Sequence, residues 1–475
     1  MKRCPYALVS VLLLSGCALK GGWLMTVGPD YQAPEPPIAK QWQAAQSATA
    51  HQGDVARLSR WWAGFNDPIL SRLLAAAQTE SASIAQAKAR IEQARANLVG
   101  TESLLLPSLD AGLSSSRSSF SFGQAPFIRN QHAFDVQSSW EVDLFGGLAR
   151  QQEAAIGQLA ARTAAWHDAR VAVAAELANA YLAYRRCEIA LKLSKTDAES
   201  RAVTATLVGL AARAGLRNAA DAALARASSA EGDNAVVQQQ ADCDSSIKGL
   251  VAMTSIAEQP LRALLAKPPF AAAVPSPPPF RLNALPAQVL LQRPDVAAAE
   301  RSVAEASAKI GVEQAKRLPR LSLSGNITPV LQNINGAALT LAETWSYGPT
   351  LSLPLFDAGK RAANVDAAKT DYVAAVAQFR ATVRTAAQEV EQALVRLASA
   401  DQRLPAARLA AADYRVNFTA AQTRYQTGLG TLLDAELARR SMVSAELAVT
   451  ALQQDQVGAW IALYRAAGGG WQAVP

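Results

Sequence analysis

The chain has 475 residues, 50% of them hydrophobic and 18% charged, which is enough to bury a large core. Its net charge of +7 falls to +5 when Lys2 and Arg3 are removed with the leader segment described next. The other basic residues are scattered along predicted helices without interleaved aromatic residues, so the composition excludes a nucleic-acid partner.

The N-terminus predicts an exported protein that is held by a lipid. Residues 1–16 form a signal peptide, whose apolar run of about ten residues is too short to span a bilayer. The run ends in Leu14-Ser15-Gly16-Cys17, which resembles the lipobox of bacterial lipoproteins. That resemblance implies cleavage before Cys17, acylation of its thiol and new amine, and, because Ala18 follows, transfer to the outer membrane. The alternative is an ordinary leader that happens to contain a cysteine.

Residues 17–67 are then a lipidated, extended segment, and a first repeat follows over 68–266. Its predicted elements are a helix stopped by Pro107, two strands, a long helix, a turn at Gly215 and a last helix. The helical ranges are 68–105, 148–213 and 219–258.

The stretch HAFDVQSSWEVDLFGG, residues 132–147, interrupts this helical composition. Apolar residues alternate with polar and acidic ones from Phe134 to Leu144. This period of two predicts a strand with one apolar face and one acidic face, which would direct Asp135, Glu141 and Asp143 to the same side. Gly146 and Gly147 predict a turn directly into the long helix.

The sequence is duplicated. GLRNAADAALARAS, from Gly215, aligns without gaps on GLGTLLDAELARRS, from Gly428, with 8 of 14 positions identical at an offset of 213 residues. LLPSL and RLPRL repeat at an offset of 212, and DLFGGLAR and PLFDAGKR at 211. Seven prolines fall within 267–286, which predicts an extended linker between the first repeat and a second one over 287–475.

The second repeat predicts the same order of elements, with strands in RLSLSGNIT and WSYGPTLSLPLF. Its helical ranges are 287–317, 360–427 and 431–466. Helices this long need partners along their length, and apolar residues spaced by four and three in the first long helix predict coiled-coil packing. Pro405 is expected to kink or interrupt the second long helix.

The strands suit a membrane-spanning β-barrel. They could instead cover a soluble core, but their acidic faces would then be buried, whereas a lumen would keep them wet. The predicted lipid-facing residues are Val136, Trp140, Trp345 and Tyr347. Because the smallest bacterial barrels have about eight strands, the chain must oligomerise, and n copies supply 4n strands.

No motif predicts catalysis, a cofactor site or a metal site. The three histidines, His51, His132 and His167, are far apart and form no HExxH motif. No Walker loop, C-x-x-C pair or G-x-S-x-G motif occurs. Most carboxylates are on helix faces and have the spacing of solvated residues.

Eight segments in order resemble the TolC-like outer-membrane efflux family, and more narrowly its lipoprotein branch that partners resistance–nodulation–division pumps. They are the lipobox, VGPDYQAPEPP, WWAGFNDPIL, SWEVDLFGG, LLQRPDVAAAE, GPTLSLPLFDAGK, RYQTGLGTLLDAE and YRAAGGGW. The resemblance implies an α+β membrane protein that is a homotrimer, with a 12-stranded outer-membrane β-barrel on an α-helical periplasmic tunnel and an equatorial belt that includes the C-terminal segment.

The resemblance also implies a function. The implied function is a passive exit duct for small molecules. Its partners would be an inner-membrane pump and a periplasmic adaptor, with outer-membrane lipid around the barrel. Two alternatives remain open from the residues: a periplasmic adaptor or structural coiled-coil lipoprotein, and a type I secretion duct.

In the family, the second helical turn closes the periplasmic end of the tunnel through a tyrosine, a basic residue and two aspartates. Tyr425 and Asp434 match this pattern, but the basic position is Gly430 and the second aspartate position is Leu437. The expected gate is therefore Tyr425, Asp434 and an apolar constriction of Leu432, Leu433 and Leu437. The alternative is that Asp434 only caps a helix.

Cys187 and Cys243 are predicted to form a disulfide. Both are 28 residues from Gly215, and equal distances from the turn of an antiparallel hairpin place two residues side by side. The exported location is oxidising, and Cys4 and Cys17 are lost to cleavage and acylation. The alternative is a pair of free, buried cysteines.

Overall fold

The computed structural model describes residues 21–39, 41–44, 61–121, 123, 126–266, 275, 277 and 286–471. The predicted signal peptide 1–16, Cys17 and most of the linker 267–286 lie outside these residues. The elements in chain order are α1 Pro68–Glu80, α2 Ala82–Ser103, β1 Ser108–Phe120, β2 Phe127–Val142, α3 Gly147–Arg213, α4 Ala219–Thr254, α5 Glu258–Leu265, α6 Pro286–Leu291, α7 Pro294–Ala315, β3 Arg320–Ile334, β4 Thr340–Ser352, α8 Lys360–Gln426 and α9 Leu432–Ala466.

The two halves of the chain have the same order of main elements. In each half, a 22-residue helix leads to two strands, a 67-residue helix and a last helix of 35 or 36 residues. The long helices α3 and α8 begin 213 residues apart, at Gly147 and Lys360, which is the offset of the sequence duplication.

Contacts divide the chain into two compact units that each draw on both halves. Unit 1 comprises Met1–Glu35, Ala89–Thr163 and Ala298–Arg380, and contains the sheet. Unit 2 comprises Pro36–Lys88, Ala164–Ala297 and Ala381–Pro475, and contains the helical turns at Gly215 and Gly428.

The sheet of unit 1 is antiparallel, in the order β1-β2-β3-β4. Each repeat contributes one hairpin, and the pairing of β2 with β3 joins the two repeats. The register is regular on either side of Pro329, which has no backbone N–H to donate to a neighbouring strand.

The strand β2 passes into α3 through a tight turn. Gly146 has φ +73°, and a Cβ there would lie 2.7 Å from Thr26 Cγ2, so both conformation and space require glycine. Asp143 lies beyond the end of β2, and its Oδ2 accepts a hydrogen bond from Ala149 N at 2.8 Å. The prediction that Asp143 belongs to the acidic face of the strand is therefore wrong, because this side chain caps the start of α3.

An N-terminal strap, residues 21–31, packs on this junction. The backbone N–H of Trp23 donates to Asp143 O at 2.9 Å. The buried guanidinium of Arg150 donates to Val27 O at 3.1 Å and to Asp30 Oδ1 at 2.7 Å. The strap thus has both backbone and side-chain contacts to the start of α3.

Unit 2 has an aromatic and hydrogen-bonded core. Trp61 stacks on Tyr464 with ring centroids 4.7 Å apart, and both are buried. Asp67 caps α1 through Ile69 N at 2.8 Å and also accepts from the Tyr181 hydroxyl at 2.5 Å. Burial and this hydrogen bond raise the pKa of Tyr181 above its usual value.

Two predicted helices end earlier than expected. The stretch 68–105 is divided at Ser81, whose backbone is extended and whose Oγ accepts from Ile84 N at 3.4 Å. The stretch 219–258 ends at Thr254, because Ser255 adopts a left-handed conformation with φ +54°. Short polar side chains that bond to the nearby backbone favour such breaks.

Pro405 lies inside α8 without ending it, so the predicted interruption does not occur. A proline in a helix costs about 3 kcal/mol through its missing N–H and its ring. The buried residues Leu397 and Leu404, which both precede Pro405, keep the helix packed and offset this cost.

Within the parts of the chain that the structure describes, no helix is both long enough and apolar enough to cross a bilayer. The charged residues spaced along α3 and α8 account for this in the two longest helices.

Cys187 on α3 and Cys243 on α4 form a disulfide in the structure, with Cα atoms 5.5 Å apart. Both side chains are buried. The pairing follows from the turn at Gly215, from which the two residues are equally distant.

We expect alkylation of the denatured, unreduced protein to leave Cys187 and Cys243 unmodified, and to modify both after reduction. Peptide mass spectrometry measures each cysteine separately, which keeps Cys4 and Cys17 out of the count. Cys243→Ser should lower the free energy of unfolding of the hairpin by ~2–4 kcal/mol, because the unfolded chain regains the entropy of a closed loop. Alkylation of both cysteines before reduction would contradict the pairing.

Candidate functional site

The first candidate site is the four-stranded sheet, because its two faces differ in chemistry. Register pairs Ala111 with Val136, Val136 with Ile327 and Ile327 with Trp345, so these four residues form one row across the sheet. The rows on this face are largely apolar and include Leu109, Leu113, Phe134, Val136, Trp140, Leu323, Ile327, Leu331, Leu341, Trp345, Tyr347 and Leu351. Trp345 is 67% exposed and Tyr347 82% exposed, so the residues that the structure describes leave this part of the apolar face uncovered.

The opposite face is polar. Its rows include Asp110, Ser114, Asp135, Gln137, Ser139, Glu141, Arg320, Ser322, Ser324, Asn326, Ser346 and Thr350. Arg320 donates to Glu141 across the β2–β3 pair. Such a face is suited to water, and the other face is suited to an apolar surrounding.

The two edges of the sheet are open. Among the described residues, β1 pairs only with β2 and β4 pairs only with β3. An open edge carries unpaired backbone N–H and C=O groups, which are a template for another strand.

The predicted lipid-facing residues share the apolar face, but they differ in exposure. Trp345 and Tyr347 stack on each other, with ring centroids 5.9 Å apart and both rings exposed. Val136 is half-buried. Trp140 is also half-buried, because the strap residue Trp23 packs edge-on at 6.2 Å and the indole N–H donates to Leu105 O at 3.0 Å.

The second candidate site is the pair of helical turns in unit 2. Val208 and Ala222 of the first hairpin form a buried cluster with Leu432, from the start of α9. Tyr425, near the end of α8, packs against this cluster. The Arg217 guanidinium carbon lies 5.2 Å from the centre of the Tyr425 ring, which is the geometry of a cation–π contact.

The predicted apolar constriction is only partly supported by exposure. Leu433 is 51% exposed and Leu437 53% exposed, so both present apolar surface at the second turn. Leu432 is 3% exposed, and the prediction that it belongs to the constriction is wrong. Its side chain is part of the core that joins the two hairpins.

Asp434 forms a capping box with Thr431. Thr431 Oγ1 accepts from Asp434 N at 3.1 Å, and Asp434 Oδ2 accepts from Thr431 N at 3.3 Å. The hydrogen bonds from Thr431 lower the pKa of the Asp434 carboxyl. This geometry favours the helix-capping role that the sequence left open.

Arg217 was not identified from the sequence, although the duplication contains the signal. An offset of 213 places Arg217 opposite Gly430, where the family has its basic residue. The basic residue is therefore present in the first turn and not in the second. It still reaches Tyr425, because the two hairpins pack together at the buried cluster.

A buried ionic network lies among α3, α4 and α9. Arg439 and Glu436, each 3% exposed, pair at 2.6 Å, and Glu436 accepts from Ser228 Oγ at 2.7 Å. Asp197 pairs with Arg201 at 2.7 Å and lies 3.7 Å from Arg439. Glu436 and Asp197 are exceptions to the predicted solvated placement of most carboxylates. Removing one partner would leave a buried charge uncompensated, which costs ~3–5 kcal/mol.

Comparisons with known proteins identify the family. The model of the family described as outer membrane efflux protein matches residues 73–255 and 285–469, one match in each repeat. The solvent efflux pump outer membrane protein SrpC of Pseudomonas putida is 28% identical over 99% of both chains. Outer membrane protein OprJ of Pseudomonas aeruginosa is 29% identical over 98% of this chain and 95% of its own. The crystal structure of the open state of the Neisseria gonorrhoeae MtrE outer membrane channel matches with a TM-score of 0.81 and 25% identity, covering 94% and 99% of the two chains.

The capping box yields a test of Asp434. Asp434→Ala removes the acceptor and should speed hydrogen exchange of the amides at the start of α9, whereas Asp434→Asn keeps an acceptor and should not. In the native protein the pKa of Asp434 is lower than in the unfolded chain, so the ionised carboxyl stabilises the fold at pH values above its unfolded pKa. This stabilisation is lost as the pH falls through the folded pKa. Equal exchange in the native, Ala and Asn proteins at neutral pH would contradict a capping role.

Proposed function

The chain belongs to the outer membrane efflux protein family, and we propose that three copies assemble into a passive outer-membrane exit duct for small molecules. Members of this family are transport channels and not enzymes. This chain is therefore an outer-membrane efflux channel whose helices extend into the periplasm.

The observation that carries the proposal is the sheet with one apolar face, one polar face and two open edges. In a bilayer, every backbone group needs an internal partner, so the edges of β1 and β4 have to be paired. Pairing β4 of one copy with β1 of the next satisfies both edges. The apolar face then meets lipid and the polar face lines a water-filled lumen.

Strand number and the family resemblance support the proposed homotrimer. Each chain supplies four strands, so two copies would give eight and three copies twelve. Eight-stranded barrels have interiors filled by side chains, which leaves no room for a duct. Twelve strands, the number in the family that the sequence resembles, give a wider lumen.

Lipid anchoring at Cys17 is part of the proposal. It is supported by the lipobox and by the position of the strap. The strap residue Trp23, six residues after Cys17, packs on Trp140 of the sheet's apolar face. An acyl group on Cys17 would therefore lie within reach of the lipid around the barrel.

The proposed partners are an inner-membrane pump and a periplasmic adaptor. In this proposal the duct is passive, and the pump supplies the energy. Small molecules are the proposed substrates, because SrpC is named for a solvent efflux pump. A wide polar lumen imposes little chemical choice, so it does not separate one small molecule from another.

The second turn is the proposed gate, formed by Tyr425, Leu433, Asp434 and Leu437. The exposed side chains of Leu433 and Leu437 would narrow the end of the duct. The contact of Arg217 with Tyr425 would hold the turn against the first hairpin. Asp434 would contribute by fixing the start of α9.

The face assignment and the assembly are tested together. We expect the purified native protein to have the mass of three chains in detergent and to conduct ions in planar bilayers. Val136→Arg, in the middle of the apolar face, should cost ~2–4 kcal/mol per chain and reduce the yield of trimer. Ser139→Arg, on the polar face, should assemble normally and change the conductance. Equal assembly of the two variants would show that the faces are assigned wrongly.

The gate is tested by two substitutions with one control. Arg217→Gln should loosen the second turn, and Leu433→Ala should widen it, so each should raise the single-channel conductance of the trimer. Arg213→Gln is the control, because it also removes one positive charge, at the end of α3. The conductance of this variant should equal that of the native trimer. Native conductance in both test variants would remove this turn as the gate.

A further inference from the structure

The apolar face of the sheet ends at a definite row. Counted along β2, apolar rows run from Val142 to His132, with Leu331 and Leu341 in the last of them, and Ile128 is the single apolar residue on this face in the paired rows beyond. The ten steps between Val142 and His132 measure ~33 Å along the strand, or ~25 Å in height at a strand tilt of about 40°. That is the height of the apolar band on an outer-membrane barrel.

The next row on the same face is polar. Arg117 pairs in register with Asn130, and Asn130 pairs with Asn333. The two amides also hydrogen-bond through their side chains, Nδ2 of Asn130 to Oδ1 of Asn333 at 2.8 Å. His132 is the diagonal neighbour of Arg117 on β2, at a distance of ~7–8 Å between Cα atoms. Arg117 and His132 are both exposed.

We propose that these four residues, Arg117, Asn130, His132 and Asn333, bind the phosphorylated headgroup of a glycolipid in the outer leaflet. This inference rests on the proposed function, which directs the apolar face to lipid. The start of α3 lies at the opposite end of β2, so the Arg117 row faces away from the periplasm. The outer-leaflet headgroups are then the chemistry that this row meets.

Charge and geometry favour a phosphate group. A guanidinium offers several N–H donors that match the oxygens of a phosphate, and the neighbouring amides add further donors. Arg117 is the cation of this row, and the His132 imidazole adds an N–H donor. The nearest acid on the same face is Glu343, which lies on β4 opposite Pro329 and two strands away from β2.

Arg129 provides a matched control. It is one residue from Asn130 on β2 and pairs with Ser118, so it has nearly the same height as Arg117. Because successive residues of a strand point to opposite faces, Arg129 is on the polar face and Arg117 on the apolar one. A phosphate in the lumen would bind Arg129, and a lipid headgroup would bind Arg117.

The experiment measures binding of lipid A to the purified, delipidated trimer by native mass spectrometry. The probes are lipid A with two phosphates and the same lipid with both phosphates removed. We expect the native trimer to bind the phosphorylated lipid more tightly. Arg117→Gln should weaken that binding about tenfold or more, since a charge-assisted hydrogen bond is lost, and Arg129→Gln should leave it unchanged.

Three results with the two lipids and the variants would overturn the inference. They are equal binding of the two lipids by the native trimer, native affinity in Arg117→Gln, and an equal loss in Arg129→Gln. Competition by inorganic phosphate at the concentration of the lipid would also overturn it, because it would show an anion site without lipid recognition. For each variant, the mass of the assembly in detergent and the conductance in planar bilayers are measured first. A conducting trimer without lipid preference rejects this inference alone, whereas failure to form a conducting trimer rejects the proposed function and the inference with it.

Discussion

The organisation of this protein depends on the need to pair every backbone group of a strand that lies in lipid. The sheet has an apolar face on which rings such as Trp345 and Tyr347 are mostly exposed, and a polar face with acids and hydroxyls. Among the described residues, its outer strands, β1 and β4, each have one unpaired edge. A single chain can place its apolar face in lipid and its polar face in water, but it cannot supply hydrogen-bond partners for both edges of its sheet. In the proposed trimer, pairing between copies supplies the hydrogen bonds that the two edges of the sheet need.

The duplication gives two similar hairpins that are stabilised differently. The first is joined by the disulfide between Cys187 and Cys243. At an offset of 213, Cys243 corresponds to Gln456, which hydrogen-bonds to Asp401 at 2.6 Å. A covalent link in one repeat thus corresponds to a single polar contact in the other. Between the hairpins, the buried pair of Arg439 and Glu436 and the contact of Arg217 with Tyr425 add polar interactions to a small apolar cluster.

Much of the fold could be predicted from the sequence, because periodicity and duplication are strong local signals. The alternation from Phe134 to Val142 marks a strand, and the constant offset predicts two repeats of the same elements. Equal distances from Gly215 paired the two cysteines. The turn residues were harder, because their contacts come from the other hairpin. Arg217, buried Leu432 and the charged core around Arg439 depend on tertiary packing, and a helix sequence alone gives no sign of it. The side chains of Ser81 and Asp143 also accept hydrogen bonds from nearby backbone N–H groups. A predicted helix and a predicted strand therefore end at these residues, although the hydrophobic periodicity of the sequence continues past them.

The closure of the sheet between copies is tested most directly by cross-linking β1 to β4. Ser114→Cys in β1 is combined in turn with Thr344→Cys, Ser346→Cys or Thr350→Cys in β4, all on the polar face, with Cys187 and Cys243 left as a disulfide. Pairing between neighbours predicts that at least one combination gives covalent dimers and trimers on a denaturing gel after oxidation, while each single variant stays monomeric. Monomers from every combination, in protein that conducts, would contradict closure by neighbouring copies.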